Sequence, residues 1–389
     1  MSGLRAVPTG ESEPVRTPAG LPSPEEAVPS DRRRPLILSA GMGAGHDTVA
    51  AELARRAAAH GHEPHVADVL RLLPYGLGGG LRRSYQASVR HFPWVYAGVY
   101  GAFLRGGRVP RPSGVPLARL AAERLTDLVR RLDADVVVSV FHLAAQLTGH
   151  LRARGALRVP SAVFLVDFAV HRQWLHPGND QYLCLTDGAA AEVRRALGRP
   201  AVATGPAVAP QFHVSAPGAA GWRERFAGRA PGRPPVLLSA GAWGAASRAR
   251  GTARLLTGAG YLPVALCGRN ARLRARVARV PGVLALDWVD DMPGLLCAAY
   301  ALLDNAAGQT AVQALAAGLP VIGYRPLPGH GVDGVRRMAE LGLAELAPDG
   351  RTLLAALDRL AEDGRERRER VTRGHALFRD DPMAWAAGW

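Results

Sequence analysis

A histidine that follows a glycine-rich turn is the first group in this sequence that could do chemistry. The turn runs from Gly41 to Gly45 after a short apolar run, and His46 comes directly behind it. Glycines at such a turn let the backbone approach a ligand, and a histidine beside that ligand can accept a proton near neutral pH. A tight turn with an incidental histidine is the alternative. An NAD site is disfavoured, because Asp68 is the only acidic residue near the position that binds a ribose.

Acid–base groups crowd a second segment, which holds Asp167, His171 and His176, with Trp174 between the histidines. The segment follows an apolar run typical of a buried strand, so we expect it at the carboxyl edge of a parallel sheet, where such sheets bind ligands. A metal site is disfavoured, because Pro177-Gly178 breaks the helix that could put both histidines on one face. Histidines that are merely solvated in a loop are the alternative.

A third segment, at 303–320, joins a predicted strand to a predicted helix through small residues. The N–H groups of Gly308, Gln309 and Thr310 lie where that helix would start, and the helix dipole favours an anion there, such as a diphosphate. Gln313 lies one turn further on and could reach the hydroxyls of a ribose. Thr310 and Gln313 also fit a T-x-x-Q capping box, which would give both a purely structural role.

Residues 71–122, which we call the insert, are basic and aromatic. They contain eight arginines and no Asp or Glu, and seven of the chain's 23 aromatic residues lie between Tyr75 and Phe103. Tyr96, Tyr100 and Phe103 recur at helical spacing, which predicts a helix face at the headgroups of an anionic membrane. A core-facing aromatic stripe is the alternative. Nucleic acid is not expected, because no RNA- or DNA-binding motif accompanies the charge.

The composition excludes several enzyme classes. The 389 residues include 48 Lys+Arg against 33 Asp+Glu, a net charge of +15, and none of the basic residues is a lysine. Phosphate-loop NTPases, protein kinases, Schiff-base aldolases and pyridoxal enzymes all need a lysine. The three cysteines are far apart, and no apolar run approaches the roughly 18 to 20 residues of a membrane helix. We therefore expect a reduced, cytoplasmic protein without structural zinc.

Strands and helices alternate along most of the chain, which predicts an α/β fold of two doubly wound, Rossmann-like domains facing across a cleft. The run that opens at Pro35 returns from Pro235 with the same Ser-Ala-Gly turn. Predicted strands lie at 35–40, 66–68, 135–141, 161–167, 235–240, 262–267, 283–286, 300–303 and 321–324. The predicted organisation is a disordered tail (1–31), an N-terminal domain (32–212), a linker (213–234), a C-terminal domain (235–375) and a C-terminal tail (376–389).

Together the segments resemble the monogalactosyldiacylglycerol synthase and processive diacylglycerol glucosyltransferase family. They are more distantly similar to the N-acetylglucosaminyltransferase that makes peptidoglycan lipid precursors. The likeness runs from about Leu36 to Leu343. Its specific motifs are Gly-x-Gly-x-Gly-His at 41–46, Asp-x-x-x-His-x-x-Trp-x-His-Pro-Gly at 167–178, Cys-Gly-Arg-Asn at 267–270, and the helix at 308–320 with Pro328-Gly329 beyond it.

The resemblance implies the GT-B fold, with a lipid acceptor in the N-terminal domain and a UDP-sugar in the C-terminal domain. It implies catalytic roles for His46 and Asp167 in activating the acceptor. The acceptor-binding residues would be Gly45, His171, Trp174, His176, Trp94 and Tyr96. The donor-binding residues would be Gly241, Trp243, Gly244, Asn270, Val289, Met292, Gly308, Gln309, Thr310, Gln313 and His330. Three positions depart from the family: Asp47 replaces an Arg, Gln313 replaces a ribose-binding Glu, and 330–334 differs in sequence.

The hypothesis from sequence is an inverting, metal-independent transfer of a sugar from a UDP-sugar to a lipid or other hydrophobic acceptor. It needs no cofactor beyond that co-substrate, and His46, or Asp167 in its place, removes the acceptor proton. We expect a bacterial protein, peripheral on the inner face of the plasma membrane. Three alternatives stay open: transfer to a soluble aglycone or saccharide, a catalytically inactive sugar-nucleotide- or membrane-binding homologue, and a non-hydrolysing sugar-nucleotide epimerase.

Overall fold

The computed structural model describes residues 32–104, 115–213, 216–245, 248–360 and 364–387. The tail predicted as disordered, 1–31, lies outside the described residues, as does the middle of the insert. The described strands are β1 (Pro35–Ser39), β2 (His65–Asp68), β3 (Val136–Ser139), β4 (Ser161–Phe164), β5 (Gln181–Cys184), β6 (Ala201–Ala203), β7 (Pro235–Ser239), β8 (Leu262–Leu266), β9 (Leu284–Leu286), β10 (Ala301–Asp304), β11 (Val321–Tyr324) and β12 (Ala344–Ala347).

These strands form two parallel sheets, in the orders β2-β1-β3-β4-β5-β6 and β12-β11-β10-β7-β8-β9. In each sheet the chain adds strands on one side of the first strand and then on its other side. The order therefore reverses between β1 and β3 and between β7 and β10. Ligands of doubly wound sheets bind outside the carboxyl ends of the strands at such a reversal. We call each sheet with its helices a lobe, N-terminal and C-terminal; two doubly wound units are thus confirmed.

Helices cover both sheets. They are α1 (Ala44–Ala59), α2 (Leu77–His91), α3 (Pro93–Val99), α4 (Val115–Arg119), α5 (Ala122–Arg131), α6 (His142–Ala153), α7 (Asp187–Leu197), α8 (Ala219–Arg229), α9 (Ala249–Gly258), α10 (Ala271–Val277), α11 (Met292–Ala298), α12 (Gln309–Ala316), α13 (His330–Glu340), α14 (Gly350–Arg359), α15 (Arg365–His375) and α16 (Pro382–Ala387). A π-helical turn, Tyr100–Leu104, continues α3. No helix in the described part of the chain is long and apolar enough to cross a membrane.

The predicted strands are confirmed, with ends shifted by at most three residues, but β5, β6 and β12 were not predicted. Each of these three has only three or four residues, and Gln181 and Glu345 interrupt their apolar pattern. Such short strands are held by pairing with a neighbour rather than by their own pattern: β5 pairs with both β4 and β6. That pairing is not visible in a local stretch of sequence.

Neither Asp47 nor Thr48, the polar residues that follow the glycine-rich turn, caps the first helix. Helix α1 begins at Ala44 behind Gly43, whose φ is 151°, and no side chain caps it. The Asp47 carboxylate instead accepts a hydrogen bond from Ser39 Oγ at 2.6 Å. His46 therefore lies inside the first turn of the helix.

The aromatic stripe of the insert faces inward, so the membrane face predicted on it is wrong for two of its three residues. Tyr96 and Tyr100 are 8% and 4% exposed, whereas Phe103 is 40% exposed. The side chains that face outward from the same helix are those of Trp94 and Val99. The helical period was read correctly, but periodicity alone does not say which face is buried.

The stretches predicted as linker and C-terminal tail both contain helices. Helix α8 occupies 219–229, and its Trp222 donates a hydrogen bond to Asp291, which precedes α11, at 3.0 Å. Helix α16 returns to the N-terminal lobe, where Met383 is fully buried in an apolar cluster that both lobes share. An Asp381 carboxylate oxygen lies 2.8 Å from His60 Nε2 at the end of α1.

Met383→Ala is expected to lower the free energy of unfolding by about 2 to 5 kcal/mol, because it leaves a cavity between the lobes. Trp385→Ala, on the same helix but 43% exposed, is expected to cost about 1 kcal/mol or less. Urea denaturation followed by circular dichroism measures both. Equal losses would show that α16 is not anchored through Met383.

Candidate active site

The candidate site lies where loops at the carboxyl ends of both sheets meet. The N-terminal lobe contributes the residues after β1, β3 and β4, and the C-terminal lobe those after β7, β10 and β11. The lobes touch at the start of two helices: a Cβ atom on Gly45 in α1 would lie 3.5 Å from Cβ of Gln309 in α12. The amide of the Gln309 side chain donates to the carbonyl of Ala207 in the N-terminal lobe at 3.2 Å.

His46 has a defined tautomer. Its Nδ1 atom lies 2.9 Å from the carbonyl oxygen of Val140, the residue after β3. A carbonyl only accepts, so Nδ1 carries the proton of the neutral ring and Nε2 keeps its lone pair. Burial lowers the pKa of His46 below its usual 6.5, although the Asp167 charge opposes this shift. At neutral pH His46 is therefore an uncharged proton acceptor at Nε2.

Asp167 is held as a carboxylate. Its Oδ2 accepts a hydrogen bond from Trp174 Nε1 at 2.8 Å and lies 3.4 Å from Nε2 of His171. Burial opposes its ionisation, but the hydrogen bond from His171 and the attraction that His171, His46 and His330 exert when they are protonated outweigh burial and hold the pKa of Asp167 far below its usual value. Such a weak base is a poor proton acceptor. Trp174 is 0% exposed, so it orients Asp167 rather than touching a substrate.

A fourth residue of the N-terminal lobe, His142, forms one cluster with His46, Asp167 and His171. It is the first residue of α6, and its ring packs edge-on against the buried His171, with centroids 5.3 Å apart. Burial, followed by repulsion from His171 and His46, lowers the pKa of His142 well below 6.5. The Nδ1 atom of His171 is buried with no hydrogen-bond partner among the described residues. No three His, Cys, Asp or Glu side chains in the described ranges form a group that could hold a metal ion.

His330 enters the cluster from the C-terminal lobe. It is the first residue of α13, and its Nδ1 lies 2.7 Å from the Tyr96 hydroxyl of the insert. Burial lowers its pKa, while the Asp167 charge raises it and the charges of His171 and His46 lower it further. His330 is thus close enough to Asp167, His171 and His46 of the other lobe for their charges to affect its pKa.

The start of α12 is open. Gly308 precedes the helix without any side-chain cap, and the space where its Cβ would stand is empty. Thr310 is the second helical residue rather than the cap, so the predicted T-x-x-Q capping box is not formed. The side chains of Thr310 and Gln313 make no hydrogen bond within the part of the chain that the structure describes, and both are half-buried. The structural alternative for this pair is therefore wrong.

The loop after β7 is shaped by close packing. Gly241 and Gly244 both have φ of 64°, and a Cβ on Gly244 would lie 2.4 Å from Cβ of Asn270. Asn270 itself caps α10, accepting from Leu273 N at 3.0 Å, and donates to the Gly244 carbonyl at 3.2 Å. Both polar atoms of Asn270 are thus used within the lobe, which gives this predicted donor residue a structural role.

The insert holds that loop from the opposite side. Arg90 Nε donates to the Trp243 carbonyl at 2.7 Å, and the Trp243 ring packs against Tyr85 at 5.5 Å between centroids. Tyr85 is itself partly buried, and loss of solvent raises its pKa to about 12. The insert, predicted as an acceptor element, therefore also supports a predicted donor loop.

Four further predicted site residues lie away from the histidines, from the start of α12 and from the loop after β7. Trp94 is 72% exposed on the outer face of α3. His176 accepts from the Gly178 amide at 3.0 Å, and burial and then His150 lower its pKa, without a contribution from the clustered histidines. Val289 and Met292 are half-buried against the shared apolar core.

Sequence reasoning missed three contributors, namely His142, Tyr100 as the ring beside His171, and Arg90. One signal was available: His142 is the first polar residue after the 135–141 run, the position from which strand ends contribute to sites. Nothing local marks Tyr100 or Arg90, because their partners lie more than 70 residues away in sequence.

Comparisons with known proteins identify relatives of this chain in sequence and in fold. A family model described as monogalactosyldiacylglycerol (MGDG) synthase matches residues 46–202. A processive diacylglycerol beta-glucosyltransferase of Bacillus pumilus is 24% identical over 348 residues, which cover 84% of this chain and 86% of that protein. MurG of Acinetobacter baumannii aligns with a TM-score of 0.58 at 14% identity, covering 91% of this chain and 98% of its own. The calicheamicin glycosyltransferase CalG4 aligns at 0.57 with 17% identity, covering 92% and 97%. The resemblance read from the sequence and the GT-B fold class are confirmed.

The buried neutral histidines should make stability fall in acid. An unfolded chain protonates them near pH 6.5, whereas folding lowers the pKa of His142 well below that. The unfolded state thus binds more protons as pH falls below 6.5, and His142 alone contributes about 1 kcal/mol of lost stability between pH 7.5 and 5.5. We expect His142→Phe to reduce the fall by that amount in urea denaturation. The control is His91→Phe at the exposed end of α2, and an equal reduction there would refute burial as the cause.

Proposed function

We propose that this chain, which resembles the diacylglycerol glycosyltransferases, is an inverting glycosyltransferase that moves a sugar from a UDP-sugar to the hydroxyl of a lipid or other hydrophobic acceptor. The observation that carries the proposal is the uncharged Nε2 of His46 in the first turn of α1, beside the point where α1 meets the uncapped start of α12. A proton acceptor and an anion-binding helix end are the two groups that such a transfer needs.

The donor side is argued from helix ends. Neither α1 nor α12 has a capping side chain, so free N–H groups remain at both N-termini. Each helix start carries roughly half a positive charge, and the two converge across the lobes at Gly45 and Gln309. This convergence suits a diphosphate, and it offers fixed donors that stabilise the charge growing on the leaving UDP without a divalent ion.

The acceptor side is argued from proton affinity. His46 Nε2 takes the proton of the acceptor hydroxyl while that oxygen attacks the anomeric carbon opposite the diphosphate. The electron pair of the breaking carbon–oxygen bond leaves with UDP, so the anomeric configuration inverts. Asp167 is too weak a base for this step, and it instead stabilises the positive charge that forms on His46. The opposite proton affinities of the two groups therefore favour His46 over Asp167 as the base.

The lipid acceptor is argued from the outer surface of the insert. Within the described ranges, exposed large apolar side chains concentrate there: Tyr75, Leu77, Phe92, Trp94, Val95, Val99 and Phe103. Arg71, Arg82 and Arg83 on the same segment are exposed too. Apolar side chains flanked by arginines suit the interface of an anionic membrane. The three cysteines are free thiols, which suits the cytoplasmic side of that membrane.

A panel of donors and acceptors tests the function. Purified protein is incubated with UDP-glucose, UDP-galactose or UDP-N-acetylglucosamine, each with diacylglycerol vesicles or with soluble aglycones and saccharides, and products are read by mass spectrometry. We expect a glycosylated lipid with inverted configuration. Transfer to soluble acceptors alone would replace the lipid assignment, and UDP binding without any product would favour an inactive homologue.

His46→Gln is expected to lower kcat/KM for transfer by about 100- to 10,000-fold, the usual range for a lost general base. UDP affinity should stay unchanged, because the helix amides remain. The wild-type kcat/KM should fall in acid only below pH 6.5, since His46 must be neutral and its pKa is lowered. The control is His150→Gln, which changes a histidine in the last turn of α6, away from His46. A His46 variant as active as that control would remove the base assignment.

Trp94→Ser/Val99→Ser is expected to lower binding to anionic vesicles more than tenfold in sedimentation, because each buried apolar side chain contributes about 1.5 to 3 kcal/mol. Trp385→Ser, at an exposed tryptophan on α16, is the matched control. If both variants sediment like the wild type, the membrane surface does not lie on α3.

A further inference from the structure

One hydrogen bond joins the insert directly to the donor side of the site. The Tyr96 hydroxyl on α3 and Nδ1 of His330, the first residue of α13, are 2.7 Å apart. Tyr96 is only 8% exposed. The two residues are 234 positions apart in sequence and belong to different lobes.

The Tyr96 ring is fixed by its surroundings, so its hydroxyl has a defined position. The ring packs edge-on against Tyr85 and against His330, at 5.4 and 5.5 Å between centroids. Below it, Gly329 adopts φ of 85°, and a Cβ there would lie 3.0 Å from Cε1 of Tyr96 and 2.9 Å from Cγ of Tyr100. Only glycine therefore fits in the turn before α13, and this turn brings His330 into contact with the insert.

Both partners are uncharged at neutral pH. Burial raises the pKa of Tyr96 well above 10, and burial lowers the pKa of His330 below 6.5. When the phenol O–H donates to Nδ1, the proton of the neutral imidazole must stand on Nε2. That atom has no hydrogen-bond partner within the described part of the chain, and the ring senses the charge of Asp167.

We propose that Tyr96 is a positioning residue that fixes His330 as a hydrogen-bond donor, through Nε2–H, to an anionic oxygen of the donor diphosphate. This rests on the proposed function and deepens it. His46 and His330 then hold opposite tautomers: a carbonyl makes His46 accept at Nε2, and a phenol makes His330 donate there.

The experiment uses Tyr96→Phe, which removes the hydroxyl and keeps the ring. Long-range proton–nitrogen correlation spectra of protein with ¹⁵N-labelled histidine report the tautomer of His330, assigned by the signal that is lost in His330→Gln. Affinities for UDP and for uridine, which lacks phosphate, are measured by calorimetry. Tyr261→Phe, which loses a buried hydroxyl bonded to Asp358 at 2.8 Å in the C-terminal lobe, is the matched control for lost stability.

We expect a single tautomer of His330, protonated at Nε2, in the wild type and a mixture in Tyr96→Phe. UDP should bind the variant about tenfold more weakly, which corresponds to one lost charge-assisted hydrogen bond, and uridine should bind unchanged. Tyr261→Phe should match the wild type in both readouts.

Two results would overturn the proposal: a wild-type His330 that carries its proton on Nδ1, or a Tyr96→Phe variant that binds UDP as tightly as the wild type. Equal weakening for UDP and uridine would also overturn it, because the lost contact would then not be to phosphate. If the wild type transfers no sugar and binds no UDP, the proposed function fails instead. The tautomer, measured without ligand, still decides whether Tyr96 orients His330.

Discussion

The packing of α1 against α12 is the contact on which the rest of the site depends. Val49 and Leu53 of α1 and Val312 and Leu315 of α12 belong to one buried apolar cluster. Because both helices follow strands at a reversal of sheet order, each begins at a carboxyl edge. Apolar packing along the two helices thus brings two positive ends together. Neither end is closed by a side chain, since Gly43 and Gly308 stand where capping residues are usual. Because the backbone amides at these two helix starts are uncapped, an anion is favoured between them.

Of the histidines around that place, His46, His142 and His330 are uncharged at neutral pH, because burial and mutual repulsion both lower their pKa. Charging several imidazoles in one low-dielectric space would cost both solvation and mutual repulsion. The carboxylate of Asp167 supplies a stable negative charge beside them, and it accepts hydrogen bonds from Trp174 and His171. Under these conditions the hydrogen-bond partner, rather than the pH, decides what each histidine does. Val140 makes His46 an acceptor, and Tyr96 bonds His330 from the opposite lobe.

The sequence predicted the parts of this arrangement that local patterns encode. Continuous apolar runs predicted nine of the described strands. The segments that follow three of these runs contain His46, Asp167 and Gly308, which were predicted as site residues. What it missed depends on distant partners. Asn270 has the side chain of a binding residue, but its amide is used to cap α10 and hold Gly244. Tyr96 and Tyr100 show a helical period, but distant residues, Gly329 and His330 of the C-terminal lobe among them, decide that this face is buried. The catalytic and binding roles of the predicted site residues stay predictions, because a structure gives the positions of side chains and not the rate of a reaction.

The insert is where the two substrates of the proposed reaction meet in one element. The outer face of α3 exposes Trp94 and Val99, and its inner face carries Tyr96. The preceding helix, α2, donates from Arg90 to the Trp243 carbonyl in the loop after β7. A short helix is nearly rigid along its length. A displacement of its outer face against a membrane would therefore move the inner face that touches His330. The surface proposed for the lipid and the side chain that bonds His330 thus lie on two faces of one short helix.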